Sequence, residues 1–133
     1  MSGQKPSRKS VRFSDEESFS LLFENHPVPM WIHDSKTQAI IDVNEAALTK
    51  YGYTRDEFLA LSLRDIRIMQ DEDLADSLPP SVECRHYKKN GEIIDVEAVM
   101  HNLKYGEIQA VLVMAQDITE RKRLESEQRN LVE

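Results

Sequence analysis

One cysteine, four glycines and one tryptophan are all that this 133-residue chain holds of three types on which much site chemistry depends. The lone Cys84 excludes an internal disulfide framework and a cysteine-rich metal site, and a reducing, cytoplasmic setting is the expectation. With so few glycines there is no Gly-rich phosphate loop, and those between strands belong to turns. No apolar run approaches the roughly 18 residues that a membrane helix needs, so no membrane insertion is expected. The opening MSGQKPSRKS also lacks the apolar stretch of a signal peptide. His26, His33, His86 and His101 show no paired metal-ligand spacing, so no metal site is expected. Asp42, Asp95 and Glu97 fall on strands, at positions expected to face solvent. No nucleophile, base and orienting group can be assembled from such residues, so no catalytic residue is assigned and no enzyme is expected.

What is present suits one folded domain. Hydrophobic residues make up 40% and charged residues 31%, which is too apolar for outright disorder. Lys5, Arg8, Lys9 and Arg12 make the first twelve residues basic, and they leave −11 on the rest against −7 for the whole chain. Four charges without aromatics or periodicity read as a flexible basic leader over 1–13. The acidic body argues against nucleic acid as a partner.

Hydrophobic spacing then lays out the elements. Ser14 and Glu17 form a capping box, and Phe19, Leu22 and Phe23 fall on one face of a helix that Pro27 stops. Pro29 to Asp34 and Gln38 to Val43 read as a strand hairpin. Asn44 caps a helix over Glu45 to Tyr51 that Gly52 closes, and Thr54 caps another over Arg55 to Leu61. Asp71 to Leu78 has room for one or two helical turns before Pro79-Pro80. Val82 to Lys88 and Ile93 to Asn102 flank Lys89-Asn90-Gly91-Glu92, a hairpin signal, and Glu107 to Gln116 is a further strand. The charged tail, 120–133, carries Leu124, Gln128 and Leu131 at coiled-coil spacing, too short to be stable alone. Helix, two strands, short helices, three antiparallel strands and an exit helix make an α+β domain with one antiparallel sheet.

Five segments in this order resemble a PAS domain of the sensory-box type common in bacterial signalling proteins. They are Asn25-His26-Pro27 with Pro29-Met30-Trp31, then Val43 to Ala47, Tyr51 to Phe58, Lys88 to Gly91, and Asp117 to Lys122, the last similar to a PAC motif. The resemblance implies a five-stranded antiparallel sheet of order 2-1-5-4-3, with short helices on one face enclosing a cavity. The sensor domain would occupy 14–119 and the start of a signalling helix 120–133. It implies a sensory or dimerising role relayed to an output domain, such as a histidine kinase or a cyclic-dinucleotide enzyme, in a two-component type of system. No output domain is visible in the chain, so an excised module or a stand-alone sensor is the expectation.

Strand alternation gives the cavity candidates. Cys84 and His86 share a face, as do Ile94, Val96, Ala98 and Met100. An odd-length turn with Gly91 in a left-handed position would point both faces the same way. By resemblance, Trp31, His33, Cys84, His86, Val96 and Ala115 line the pocket. A flavin adduct is disfavoured, because Leu63 stands where light-sensing relatives carry the reactive cysteine and Ala115 stands near where a flavin-sensing glutamine is expected. Haem is disfavoured because haem-binding relatives supply an axial histidine from the helix before the third strand, and no histidine lies between Arg64 and Ser81. No tightly bound cofactor is expected. Two imidazoles in the pocket would suit a small carboxylate ligand; the alternative is that each is hydrogen-bonded within the core. Asp117, Ile118, Thr119 and Arg121 are the expected signal-transmission residues, with Asp117 bonding nearby backbone donors or pairing with Arg121. Phe19, Leu22 and Phe23, read as an apolar face outside the core, are the expected homodimer contacts.

Overall fold

The computed structural model describes residues 15–68 and 81–132. The basic leader, the Ser14 cap and the helical turns expected within 71–78 lie outside these. The elements are α1 (Asp15–Asn25), β1 (Met30–Asp34), β2 (Ile40–Val43), α2 (Glu45–Tyr51), α3 (Arg55–Leu59), α4 (Leu63–Ile66), β3 (Ser81–Tyr87), β4 (Ile93–Tyr105), β5 (Ile108–Asp117) and α5 (Thr119–Val132). The strands form one five-stranded sheet of order β2-β1-β5-β4-β3. Every neighbouring pair is antiparallel.

Local chemistry sets the helix ends. Asn44 Oδ1 accepts from Ala47 N–H at 3.0 Å, and Gly52, at φ 88°, closes α2 by donating its N–H to Leu48 O. Thr54 and Glu57 form a reciprocal capping box on α3. That helix ends at Leu59, two residues earlier than its pattern suggests, because Ala60 and Leu61 donate to Glu57 O and Phe58 O in a tighter turn. Gly91 sits at φ 90° in the β3–β4 turn, and Lys88 N–H donates to Glu92 O at 2.8 Å. This turn sets the register Cys84↔Val96 and His86↔Ile94, which turns the apolar-leaning faces of both strands the same way.

The sheet has two buried faces. On the inner one Trp31, Val43, Val96 and Ala115 pack with Ala47 and Tyr51 of α2, Phe58 of α3 and Ile66 of α4. On the outer one Met30, Ile32 and Ala110 pack with Phe23 of α1, joined by Phe19 and Tyr105. Phe19 stacks on Phe23 at 5.4 Å between ring centroids and meets Tyr105 edge-on at 6.2 Å. The expectation that Phe19, Leu22 and Phe23 form one free apolar face is therefore corrected. Phe23 is 3% exposed and Leu22 is 70% exposed, because α1 lays its phenylalanines on the outer sheet face and turns Leu22 to the surface. Alternating strands with apolar residues on both sides need such a cover.

Candidate functional site

Three consecutive residues of β1 show how the strand period divides the molecule. Trp31 and His33 face the helices while Ile32 faces α1, and all three are buried. Around Trp31 the interior is built from rings: Tyr51 and His86 at 5.6 Å between centroids and Phe58 at 5.7 Å. Val96 and Ala115 complete the same cluster, with Cys84 half-buried at its edge.

His86 is held at both nitrogens. The Tyr51 hydroxyl lies 2.7 Å from Nδ1, and Cys84 Sγ lies 3.6 Å from Nε2. Burial, followed by the Arg67 charge, pulls the imidazole down to about 3, so it is neutral. Burial, with Cys84 and Asp117 adding to it, pushes the Tyr51 hydroxyl up, so the phenol keeps its proton. The network therefore assigns the tautomer: Tyr51 O–H donates to Nδ1, and Nε2–H faces the sulfur.

His33 lies further along the same face, 5% exposed. Its pKa falls to about 4 through burial, with Asp34 pulling the other way and Arg67 adding to the fall. Its Nδ1 and Trp31 Nε1 are buried with no hydrogen-bond partner. Arg67 is 4% exposed. Its backbone bridges to His86, and Ile68 N–H donates to Arg85 O at 3.0 Å, so this segment runs along the outer edge of β3. The structure thus joins Trp31, His33, Cys84, His86, Val96 and Ala115 on one interior face. It adds Tyr51 and Arg67, which sequence reasoning missed. Tyr51 meets a histidine 35 residues away, and no local pattern marks such a contact.

The second cluster lies where β5 becomes α5. Asp117 Oδ1 accepts from Thr119 N–H at 2.8 Å, while Oδ2 is 2.6 Å from Lys50 Nζ on α2. Burial raises the Asp117 carboxyl, but the bonds from Lys50 and Thr119 outweigh it and hold the group below the usual carboxylate range. Thr119 Oγ1 accepts from Asp95 N–H at 3.0 Å. Ile118 is buried and its N–H donates to Asp95 O at 2.8 Å. Of the two partners expected for Asp117, a nearby backbone donor and Arg121, it takes the first; Arg121 pairs with Glu83 of β3 at 2.9 Å, as does Lys122 at 3.3 Å. Asp117 and Thr119 sit where their spacing places them, whereas Lys50 and Glu83 come from distant segments. Among the described residues, no three His, Cys, Asp or Glu side chains gather as a metal site, and no helix is long and apolar enough to cross a membrane.

Comparison with known proteins agrees with this architecture. A family profile described as PAS domain matches residues 27–120. The methyl sulfide methyltransferase-associated sensor of Methanosarcina acetivorans is 24% identical over 122 residues, covering 86% of this chain and only 12% of that protein. A domain of a sensory box sensor histidine kinase/response regulator from Geobacter sulfurreducens is 28% identical, with a TM-score of 0.66 over 82% of this chain and 99% of that one. The PAS domain of an HTR-like protein from Haloarcula marismortui is 25% identical, with a TM-score of 0.64 over 79% and 100% of the two chains. Sheet order, profile and neighbours converge: the chain belongs to the PAS domain family.

Proposed function

We propose that this domain is the sensory and relay module of a signalling protein, passing a change in its sheet through α5 to an output domain such as a histidine kinase or a cyclic-dinucleotide enzyme. The observation that carries this reading is the Asp117 junction. One carboxylate caps the start of the exit helix with one oxygen and grips α2, which walls the interior, with the other. Ile118 packs at the same junction, and Thr119 and Arg121 tie the first turn of α5 to β4 and β3. A shift of α2 or of the sheet is therefore felt at the helix start. Two arrangements of this junction with different ligand affinity are what a relay requires. The PAC-like exit, a cytoplasmic location, a bacterial two-component setting and a homodimer with Leu22 at its contact belong to the same proposal.

Asp117→Ala removes the cap and the ion pair together, at a cost of about 1–2 kcal/mol, which leaves the fold in place. The expected result is faster amide exchange over 119–123 with β4 and β5 still protected, and loss of stimulus-dependent output in the full-length host. Unchanged exchange and unchanged output would overturn the relay.

A second reading has its own observation. Trp31 Nε1 and His33 Nδ1 are buried and unpartnered, and the Arg67 charge acts on His33. Unmade buried hydrogen bonds are costly, and a small carboxylate would satisfy such donors beside a guanidinium. Thermal-shift stabilisation by a carboxylate, absent in Trp31→Phe, supports that receptor; no stabilisation across a metabolite panel counts against it. Tightly bound flavin or haem is not part of the proposal. Leu63 offers no thiol, and both nitrogens of His86 are already engaged.

A further inference from the structure

On the surface, apart from the ring-filled interior, the C-terminal end of α2 and the β3–β4 turn enclose an open cleft of about 410 Å³. Its walls are fixed against each other, because Lys89 N–H donates to Tyr51 O at 2.9 Å. Gly52 holds a left-handed conformation, φ 88°, that a side chain would strain, and a Cβ added there would stand 3.7 Å from Lys89 Cβ. Lys50, Lys88 and Lys89 all line this cleft, together with Thr49 and Asn90. Asn90 Oδ1 already accepts from Glu92 N–H at 2.8 Å, which leaves its NH2 group as a donor.

Among the described residues, no carboxylate side chain is in the lining. The acids that balance these lysines stand outside it: Asp117 at 2.6 Å from Lys50, Glu92 at 3.3 Å from Lys88, and Glu57 at 2.9 Å from Lys89. Such pairs, with the lysine side chains 23–51% exposed, are individually weak. A small anion carrying two or more charges, seated in a cleft lined by these three lysines, would compete with those carboxylates for them. Lysine is a compact point charge on a flexible stem, suited to the oxygens of a phosphate rather than to the planar fork of a single carboxylate. The volume fits a ligand of mononucleotide size. The chain's net charge of −7 disfavours a long polyanion.

We propose that this cleft binds a phosphate-bearing small molecule, in competition with Asp117 for Lys50. The binding itself stands apart from the relay described above. Only the consequence, a loosened start of α5, rests on that reading.

The test is titration of the 133-residue chain with inorganic pyrophosphate and with adenosine monophosphate. Ionic strength is held constant with sodium chloride, and amide chemical shifts are the readout. Expected are saturable shifts at 49–52 and 88–90. The double substitution Lys88→Gln and Lys89→Gln should lower affinity about 10-fold or more, the scale of losing close charge contacts. Asp117→Asn keeps an oxygen to cap Thr119 but releases Lys50, so it should raise affinity a few-fold. Shifts that follow chloride equally, or a double variant that binds as tightly as the parent, would overturn the site. Citrate binding as tightly as pyrophosphate would overturn the phosphate class. Equal affinity in Asp117→Asn would overturn the competition. None of these readouts involves output, so failure here leaves the relay to its own exchange measurement.

Discussion

At the scale of single residues, Asn44 does the work of a small tertiary hub. Its Oδ1 accepts from Met30 N–H and Ala47 N–H, both at 3.0 Å, while its Nδ2 donates to Phe23 O and Val28 O at 3.0 Å and to His26 O at 3.4 Å. One fully buried amide thus joins the end of α1, the segment before β1, β1 itself and the start of α2. Only its cap role is legible in the sequence, from the Asn44-Glu45-Ala46-Ala47 pattern; the contacts 14 to 21 residues back carry no local mark. Asn44→Ala removes the cap and leaves buried donors and acceptors without partners, so a loss of about 3 kcal/mol is expected. Asn44→Asp keeps the two acceptor contacts but loses the donors and places carbonyls against a charge, so it should recover little. Urea melts of the parent and both variants check this, with a loss below about 1 kcal/mol for Asn44→Ala contradicting it.

Among the elements, strands and capped helices are readable because their determinants are local. Alternation gives the faces of β3 and β4, and Gly91 in the left-handed region gives their register. The four-residue α4 escapes that reading. It is held by Leu63 N–H on Gln38 O at 2.9 Å, by an Ala39–Ser62 bridge, and by Asp65 Oδ2 accepting from Ser62 N–H at 2.9 Å. The first two contacts are tertiary. The destination of α1 has no local mark, because alternation sorts Met30-Trp31-Ile32 and Ala110 to Ala115 into one buried and one solvent face, whereas Ile32 and Ala110 are buried under Phe23. The exit helix α5 is the opposite case. Its side chains from Thr119 to Arg129 are all exposed, Leu124 at 50%, so these described side chains give it no packing beyond the junction. Within it Arg123 pairs with Glu120 and Glu127, contacts that contribute only tenths of a kcal/mol each. Its first turn is tied down through Arg121 and Lys122 to Glu83. Native-state amide exchange should therefore show protection falling along α5 from Lys122 onward while β4 and β5 stay protected. Glu83→Gln should move that fall toward Thr119. Uniform protection along the helix of the isolated chain would mean that a partner helix covers it.

For the molecule as a whole, the two buried imidazoles make folding stability depend on pH in a defined window. His86 faces the Tyr51 hydroxyl, Cys84 and Arg67; His33 has Asp34 next to it in β1 and also feels Arg67. Burial is the main cause in both cases, and it takes them from 6.5 to about 3 and about 4. In the unfolded chain both regain ordinary values and bind protons as the pH drops through 6.5, while the folded chain binds none until much lower. The unfolded state then holds more protons, so stability rises with pH across this window and is lost as pH falls. Between pH 6.5 and 5, each neutral buried imidazole costs about 2 kcal/mol of stability. The parent should therefore lose about 4 kcal/mol from pH 7 to pH 5, visible as a lowered urea midpoint. His33→Gln, which has nothing to titrate, should roughly halve that slope whatever it does to stability at pH 7. Asp34, Glu57 and Asp117, whose carboxyls are held below their usual range, release their own stability only further down, as the pH falls through the ordinary carboxylate region. A carboxylate seated beside His33 would reverse the sign locally, because it favours the protonated ring. Adding a ligand that flattens the loss between pH 7 and 5 in the parent but not in His33→Gln would thus locate that ligand at His33. A slope that stays the same in His33→Gln would show instead that His33 does not titrate as a buried neutral group.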